Sequence, residues 1–248
     1  MSDENEFEYI TRKEAETMAR KASAEAATHI AKGSSVTDGP DVVVVRGFLG
    51  REKADALLEH IRGKVEFRQD YIQLFGRKPI PRLQAWYGSW DYSYAKGMDS
   101  LKATPIPDFL QEVFDEIAAA GFGKFNAVLI NLYWNGKNHV SWHSDDDYGD
   151  PEPTIPSLTL GATRPFRLKS KLDRSTMVEY LPGHGDLLVM RGRTNSEWQH
   201  SVPKTVKPIG ERINLTFRMR QAQKAPTKQE SKPPSKGGAE HPEAVDCR

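Results

Sequence analysis

Three residues suited to a metal and two suited to a diacid lie in the same half of the chain. His143 and Asp145 are two apart in Trp142-His143-Ser144-Asp145, and His200 follows well downstream. Side chains at i and i+2 of an extended segment share a face, so His143 and Asp145 point into the same space. Two imidazoles and one carboxylate on one face of a metal leave coordination positions open, which is the ligand chemistry of non-haem Fe(II) oxygenases. Beyond His200 comes Arg212-Ile213-Asn214-Leu215-Thr216-Phe217-Arg218. As a strand it carries both arginines on one side, where a guanidinium fork can take a carboxylate through two parallel N–H bonds. That arrangement suits a diacid such as 2-oxoglutarate. Zinc or cobalt would fit the same three ligands. The arginine pair favours iron, because a zinc hydrolase has no need of it beside its metal. Surface salt bridges are the alternative for the arginines, and the apolar residues alternating with them speak against it. Asn131 and Tyr133, again two apart, can donate hydrogen bonds into the same cavity.

Other spacings compete. His184-Gly185-Asp186 repeats the His-x-Asp pattern, but it lies close to His200 among Pro182, Gly183 and Gly185, which mark a turn. His143/Asp145 is therefore the preferred pair. Asp146 and Asp147 crowd Asp145, and the spacing leaves them for roles around the metal or the substrate. His139 and His143 have a spacing that joins two ligands only on a helix, and Val140 and Trp142 argue against one.

Positioning these residues requires strands. Val42 to Val45 reads as a short buried strand. Ala54, Leu57, Leu58 and Ile61 repeat as one apolar helix face, and a second helix from Asp108 buries Leu110, Val113, Phe114 and Ile117. From Phe125 the pattern predicts strands at 125–133, 140–143, 157–161, 166–169, 177–181, 187–190, 199–202 and 212–219, with no helix among them. The expected fold class is mainly β with flanking helices: a two-sheet barrel or jelly roll with the helices on one sheet. On the last strand Ile213, Leu215, Phe217 and Met219 should pack on the helices, with Arg212, Asn214, Thr216 and Arg218 on the other face.

With 38% hydrophobic and 28% charged residues, the 248-residue chain has the composition of an ordinary globular protein. Its formal net charge of +1 excludes a strongly basic histone-like binder. One cysteine, Cys247, excludes disulfides and cysteine-ligated zinc and points to a reducing compartment. No apolar run approaches the ~20 residues a membrane span needs, and the acidic Met1–Tyr9 stretch is neither a secretory signal nor a transit peptide. Residues 1–40 form a polar N-terminal segment, in which Thr11-x-x-Glu14 is a capping box opening a helix over 11–32. Residues 221–248, rich in proline, lysine and small residues, read as a disordered tail. Its lysines 228, 232 and 236 are a weak nuclear signal. Arg167, Lys169 and Lys171, with Arg164 and Arg174, offer a basic strand face that either binds phosphates or is merely solvated.

Over residues 41–220 the chain resembles the AlkB family of Fe(II)/2-oxoglutarate dioxygenases, which repair alkylated nucleic acid. The resemblance rests on Asn131-Leu132-Tyr133, Trp142-His143-Ser144-Asp145-Asp146, and Ser157-Leu158-Thr159-Leu160-Gly161-Ala162-Thr163-Arg164. It continues through His184-Gly185-Asp186, Trp198-Gln199-His200 and the 212–218 strand. It implies a double-stranded β-helix, iron on His143, Asp145 and His200, and 2-oxoglutarate on Asn131, Tyr133, Arg212, Thr216 and Arg218, with O2 as the other cosubstrate. Residues 68–96 resemble the nucleotide-recognition region of the family's eukaryotic DNA-repair branch. Phe75-Gly76-Arg77 looks like its finger hairpin, with Phe75 the wedge in the base stack and Arg77 a strand contact. Pro81-Arg82 and Tyr87-Gly88 follow as in that branch. Tyr92-Ser93-Tyr94 resembles its base-pocket lining, and Asp146 the carboxylate that reads the damaged base. An enzyme acting on a base must extrude it or use a single strand, and aromatic faces can then stack on it. Without the resemblance, ordinary packing is the reading for the tyrosines.

The implied function is oxidative demethylation of 1-methyladenine and 3-methylcytosine in DNA, with decarboxylation of 2-oxoglutarate to succinate and release of formaldehyde. The alternatives are the same chemistry on RNA, an oxygenase of a protein or small molecule, and a non-enzymatic DNA-binding module. The complete ligand and clamp set argues against the last. The expected partner is alkylated DNA, the expected state a monomer, and the expected compartment the nucleus, with the cytoplasm as alternative.

Overall fold

The computed structural model describes residues 39–73, 76–93, 100–145 and 148–220. The helix expected over 11–32, the tail from 221, and the expected base-contacting residues Phe75, Tyr94 and Asp146 lie outside them. In chain order the elements are β1 (Val42–Val45), α1 (Arg51–Lys64), β2 (Arg68–Gln73), β3 (Arg77–Gly88) and α2 (Asp108–Ala119). There follow β4 (Ala127–Tyr133), β5 (Val140–His143), β6 (Ile155–Gly161), β7 (Phe166–Ser170), β8 (Met177–Tyr180) and β9 (Leu187–Met190). The last three are α3 (Thr194–Glu197), β10 (Trp198–Val202) and β11 (Arg212–Arg218). All eight strands expected after residue 125 are present. The run is interrupted once, by the single turn α3, whose four polar residues carry no apolar period to announce a helix.

The strands form two antiparallel sheets, a larger one ordered β1-β9-β6-β11-β4-β3-β2 and a smaller one ordered β5-β10-β7-β8. Their inner faces share one apolar cluster: Val44, Ile155, Leu188 and Met190 from the larger sheet meet Val140, Phe166, Leu168, Trp198 and Val202 from the smaller. This is the jelly roll expected from the alternation of short strands. The outer face of the larger sheet is covered by α1 and α2, which bury Leu57, Leu58 and Ile61 and Leu110, Val113 and Ile117 against it.

β11 lies between β4 and β6, paired along both edges. Ile213, Leu215 and Phe217 are fully buried in the helix-side cluster. Phe114 of α2 meets Phe217 edge to face at 4.9 Å, a geometry contributing about 0.5–1.5 kcal/mol beyond its buried area. Met219, expected on the same face, is 41% exposed. The last ladder bond runs from the Asn126 amide to the Arg218 carbonyl (2.9 Å), so the period-two alternation ends one residue before Met219. Gly161, opposite Arg212, has φ +80°, and a Cβ there would lie 2.4 Å from the Glu211 carbonyl oxygen. Only glycine lets β6 come this close to the start of β11.

β2 and β3 form the hairpin expected from the resemblance, with a register shift between Gln69 and Tyr71. β3 is more than an arm: its second half pairs with β4 and belongs to the larger sheet. No helix among the described residues is long and apolar enough to cross a membrane.

Candidate metal centre and diacid clamp

His143 ends β5 and His200 lies in β10; the two are cross-strand partners with ring centres 4.2 Å apart. Asp145 follows two residues past the end of β5. Its Oδ1 lies 3.6 Å from His143 Nε2 and its Oδ2 3.6 Å from His200 Nε2. One ligand atom from each of the three falls within 4.8 Å of the others, a spacing that suits one metal ion. His143 Nδ1 is 2.8 Å from the Ser141 carbonyl oxygen. A carbonyl only accepts, so Nδ1 carries a proton and Nε2 is the ring nitrogen on the side of the aspartate. His200 is buried and stacked on Phe166 at 5.2 Å. Burial, then the neighbouring His143, pulls its pKa down to about 3, so it is a neutral ligand. Burial alone would raise the Asp145 pKa, but Arg218, His200 and His143 together hold it well below the usual carboxylate range. The donor set is thus two imidazoles and one carboxylate, which fits ferrous iron.

Arg218 Nη2 pairs with Asp145 Oδ2 at 2.9 Å, while its Nε and Nη1 are buried with no hydrogen-bond partner. Arg212 is completely buried. Its Nη2 donates to Thr159 Oγ1 (3.0 Å), its guanidinium sits 5.4 Å from the Tyr133 ring centre, and its Nε and Nη1 have no partner. Burial pulls its pKa down to about 10, against the Tyr133 side chain beside it, which leaves it a cation at neutral pH. Idle buried guanidinium donors are costly, and a dicarboxylate would satisfy them. The residues therefore fit 2-oxoglutarate as well as iron.

One cavity joins the metal cluster to Arg218. Its walls include Tyr92, Asn131, Tyr133, Thr216 and Arg218 together with His143, Asp145 and His200. Arg212 is not in the wall itself. Asn131 Oδ1 accepts from Arg82 Nε (2.8 Å) and Gln84 Nε2 (2.9 Å), which leaves its amide nitrogen as the donor end. Tyr92 is buried, stacked on Trp86 at 4.7 Å and 23°. It packs as an ordinary core residue and also lines the cavity. Ser93 is exposed and outside the wall. Arg77 is exposed at the start of β3, its guanidinium 4.3 Å from the Tyr71 ring centre, and it too is outside the wall.

The other candidates have structural partners. Asp186 accepts from the backbone N–H of Gly47 (2.8 Å) and Gly183 (2.7 Å) and pairs with Arg46, and His184 Nδ1 accepts from the Gly161 N–H (2.9 Å). This second His-x-Asp pattern fastens the turn before β9. The basic face is largely committed elsewhere. Arg164 is fully buried, donating to the carbonyls of Asn135, Asn138 and Pro203. Arg167 pairs with Glu179, Lys171 donates to the carbonyls of Asn195 and Ser196, and Lys169 lies over the Trp142 ring. Sequence reasoning gave no role to Arg82, Gln84 or Trp86. Arg82, Gln84 and Trp86 follow one another at i, i+2, i+4, the one signal that could have marked them.

This pair of sheets with its His-Asp-His cluster and buried arginines is the architecture of an oxygenase. The model of the 2OG-Fe(II) oxygenase superfamily matches residues 41–218. The chain is 35% identical over 190 residues to alpha-ketoglutarate-dependent dioxygenase alkB homolog 3 of Mus musculus, covering 71% of this chain and 65% of that protein, just under two thirds of its length. It is 34% identical over 181 residues to the DNA oxidative demethylase ALKBH2 of Homo sapiens, covering 68% of this chain and 69% of that one. Among solved structures, that of OsALKBH1 matches with a TM-score of 0.54 at 18% identity, over 73% of this chain and 99% of that one, a likeness of fold. The chain belongs to the 2OG-Fe(II) oxygenase superfamily and, within it, to the AlkB family.

Proposed function

We propose that the protein is an Fe(II)- and 2-oxoglutarate-dependent oxidative demethylase that repairs 1-methyladenine and 3-methylcytosine in DNA. The observation that carries this reading is the His143–Asp145–His200 cluster, sharing one cavity with Arg218 and with Tyr92. The similarity to the human DNA oxidative demethylase ALKBH2 supports the substrate class. Iron bound to the three ligands would supply oxygen activation coupled to decarboxylation of 2-oxoglutarate, and thereby hydroxylation of the N-methyl group, which leaves as formaldehyde. The chain's own residues bind and orient. Arg212 and Arg218 hold the carboxylates of the cosubstrate, helped by Asn131, Tyr133 and Thr216. Tyr92 stacks on the flipped base, with Ser93 and Tyr94 completing its pocket. Asp146 balances the positive charge of the methylated ring, Phe75 fills the gap in the stack, and Arg77 holds the strand. The catalytic domain is residues 41–220, with 68–96 as its recognition region. It acts as a monomer on nuclear DNA.

The test incubates the protein with Fe(II), ascorbate and 2-oxoglutarate on DNA and RNA oligonucleotides carrying each lesion, reading methyl loss by mass spectrometry and formaldehyde release. Turnover of methylated DNA above RNA is expected. No methyl loss from any strand, in protein that binds iron, refutes the demethylase reading. Preference for RNA moves the substrate and keeps the chemistry.

A further inference from the structure

We infer that Asn195 is a positioning residue of the metal centre, whose side-chain amide fixes the backbone of Asp145 and through it the carboxylate. The inference rests on reading His143, Asp145 and His200 as the metal ligands. β5 ends at His143, so no strand ladder holds Asp145 two residues later. Asn195, a buried residue of the turn α3, takes that place. Its Oδ1 accepts from the Asp145 backbone N–H (2.9 Å) and its Nδ2 donates to the Asp145 carbonyl (3.0 Å). A side chain thereby makes the pair of bonds that a facing β-residue would make. One residue earlier, Ser144 Oγ donates to the Trp198 carbonyl (3.0 Å). The segment leading into His200 thus grips the segment carrying Asp145 at two successive residues.

The grip is itself fastened. Lys171 Nζ donates to the carbonyls of Asn195 (3.1 Å) and Ser196 (2.8 Å), and Thr194 Oγ1 donates to the Asp41 carbonyl (3.1 Å). Lys171, expected on a basic face that binds phosphates or is merely solvated, instead fastens this turn.

A clamp is needed because Asp145 has two suitors. Arg218 Nη2 already lies 2.9 Å from Oδ2, and its idle Nε and Nη1 could draw in both oxygens as a fork. A carboxylate on a loose backbone would swing onto that guanidinium and leave the imidazoles without their third ligand. With the peptide groups on both sides of its Cα held by Asn195, Asp145 can keep one oxygen toward each histidine.

The experiment is Co(II) titration of the metal-free full chain, read by visible absorption, for wild type, Asn195→Leu and Asn195→Asp. Leucine keeps the approximate size and loses both bonds; aspartate keeps the acceptor for the Asp145 N–H. Partners that orient metal ligands typically matter by roughly 10–100-fold in metal affinity. Asn195→Leu should weaken Co(II) binding within that range and change the band shape as the carboxylate leaves the metal, with Asn195→Asp in between. A merely structural role would shift the melting temperature and leave the spectrum of the bound Co(II) unchanged. Wild-type affinity and spectrum in Asn195→Leu overturn the proposal. Should that variant not fold, wild-type affinity and spectrum in Asn195→Asp do the same. Failure of the wild type itself to bind Co(II) overturns the metal-site reading, and the clamp with it.

Discussion

Arg212 offers a sharp test, because it should make the ligand-free protein less stable than it could be. Its guanidinium is completely buried, one nitrogen donates to Thr159, and two have no partner. An idle buried donor costs roughly 1–3 kcal/mol, so the pair costs about 2–6 kcal/mol. Arg212→Met removes the charge and the idle donors while filling much of the volume. Replacing buried ionic groups by apolar ones of similar size often gains about 1–4 kcal/mol, and each kcal/mol is worth roughly 2–4 °C in Tm for a chain of this size. The apo variant should therefore melt several degrees above wild type. It should also lose 2-oxoglutarate: two charge-assisted bonds at about 1.5–3 kcal/mol each amount to about 3–6 kcal/mol, or roughly 10²–10⁴ in Kd. Thermal melts with Mn(II) in place of iron, with and without 2-oxoglutarate, plus calorimetric titration, read both effects. A variant that melts below wild type and is still stabilised by 2-oxoglutarate refutes the assignment of Arg212 as a carboxylate anchor.

Other predictions follow from the same geometry. Tyr92→Ala should weaken binding of methylated oligonucleotides by about 1–3 kcal/mol, the worth of one stacked base, measured by fluorescence anisotropy; undiminished affinity would leave Tyr92 a packing residue only. Gly161→Ala places a Cβ 2.4 Å from the Glu211 carbonyl oxygen at φ +80°, so it should cost at least about 1–3 kcal/mol in denaturant unfolding and should weaken 2-oxoglutarate binding by displacing Arg212. Asp173 is held at a pKa of about 2 by hydrogen bonds from the side chains of Ser175 and Thr176 and from the Ser175 amide. Its folded pKa lies below the unfolded value, so its contribution is fully present above the ordinary carboxylate range and is lost as pH falls toward 2. NMR titration should find its midpoint near 2, and a midpoint near 4 would show that those bonds do not form in solution.

What could be read in advance depended on whether a residue's role was set by local pattern or by distant packing. The period-two alternation of β11 placed Ile213, Leu215 and Phe217 against the helices and the arginines inward, because a strand covered on both faces obliges its sequence to sort by side. It failed at Met219, since the strand's end is set by its partner β4 and by Asn126, neither visible in the strand itself. The His143/Asp145 spacing and the turn residues around His184–Asp186 separated ligand from decoy, and the structure gives Asp186 backbone partners to account for it. Arg164 and Lys171 were legible only as positive charges. Their partners are carbonyls from loops far along the chain, and nothing local distinguishes a buried capping guanidinium from a phosphate contact. Arg82 was legible only through the resemblance, and Trp86 was missed, because β3, with two prolines near its start, does not read as a strand inside a sheet.

β11 is hydrogen-bonded on both edges, carries the helix-side core on one face and the arginines on the other, and so ties folding cooperativity to chemistry. A slip of one residue would send Phe217 into the cavity and Arg218 into the apolar layer, so no partly registered intermediate can own a working clamp. Loss of 2-oxoglutarate binding in urea should accordingly coincide with global unfolding rather than precede it, which makes the cosubstrate a reporter of the whole domain's integrity.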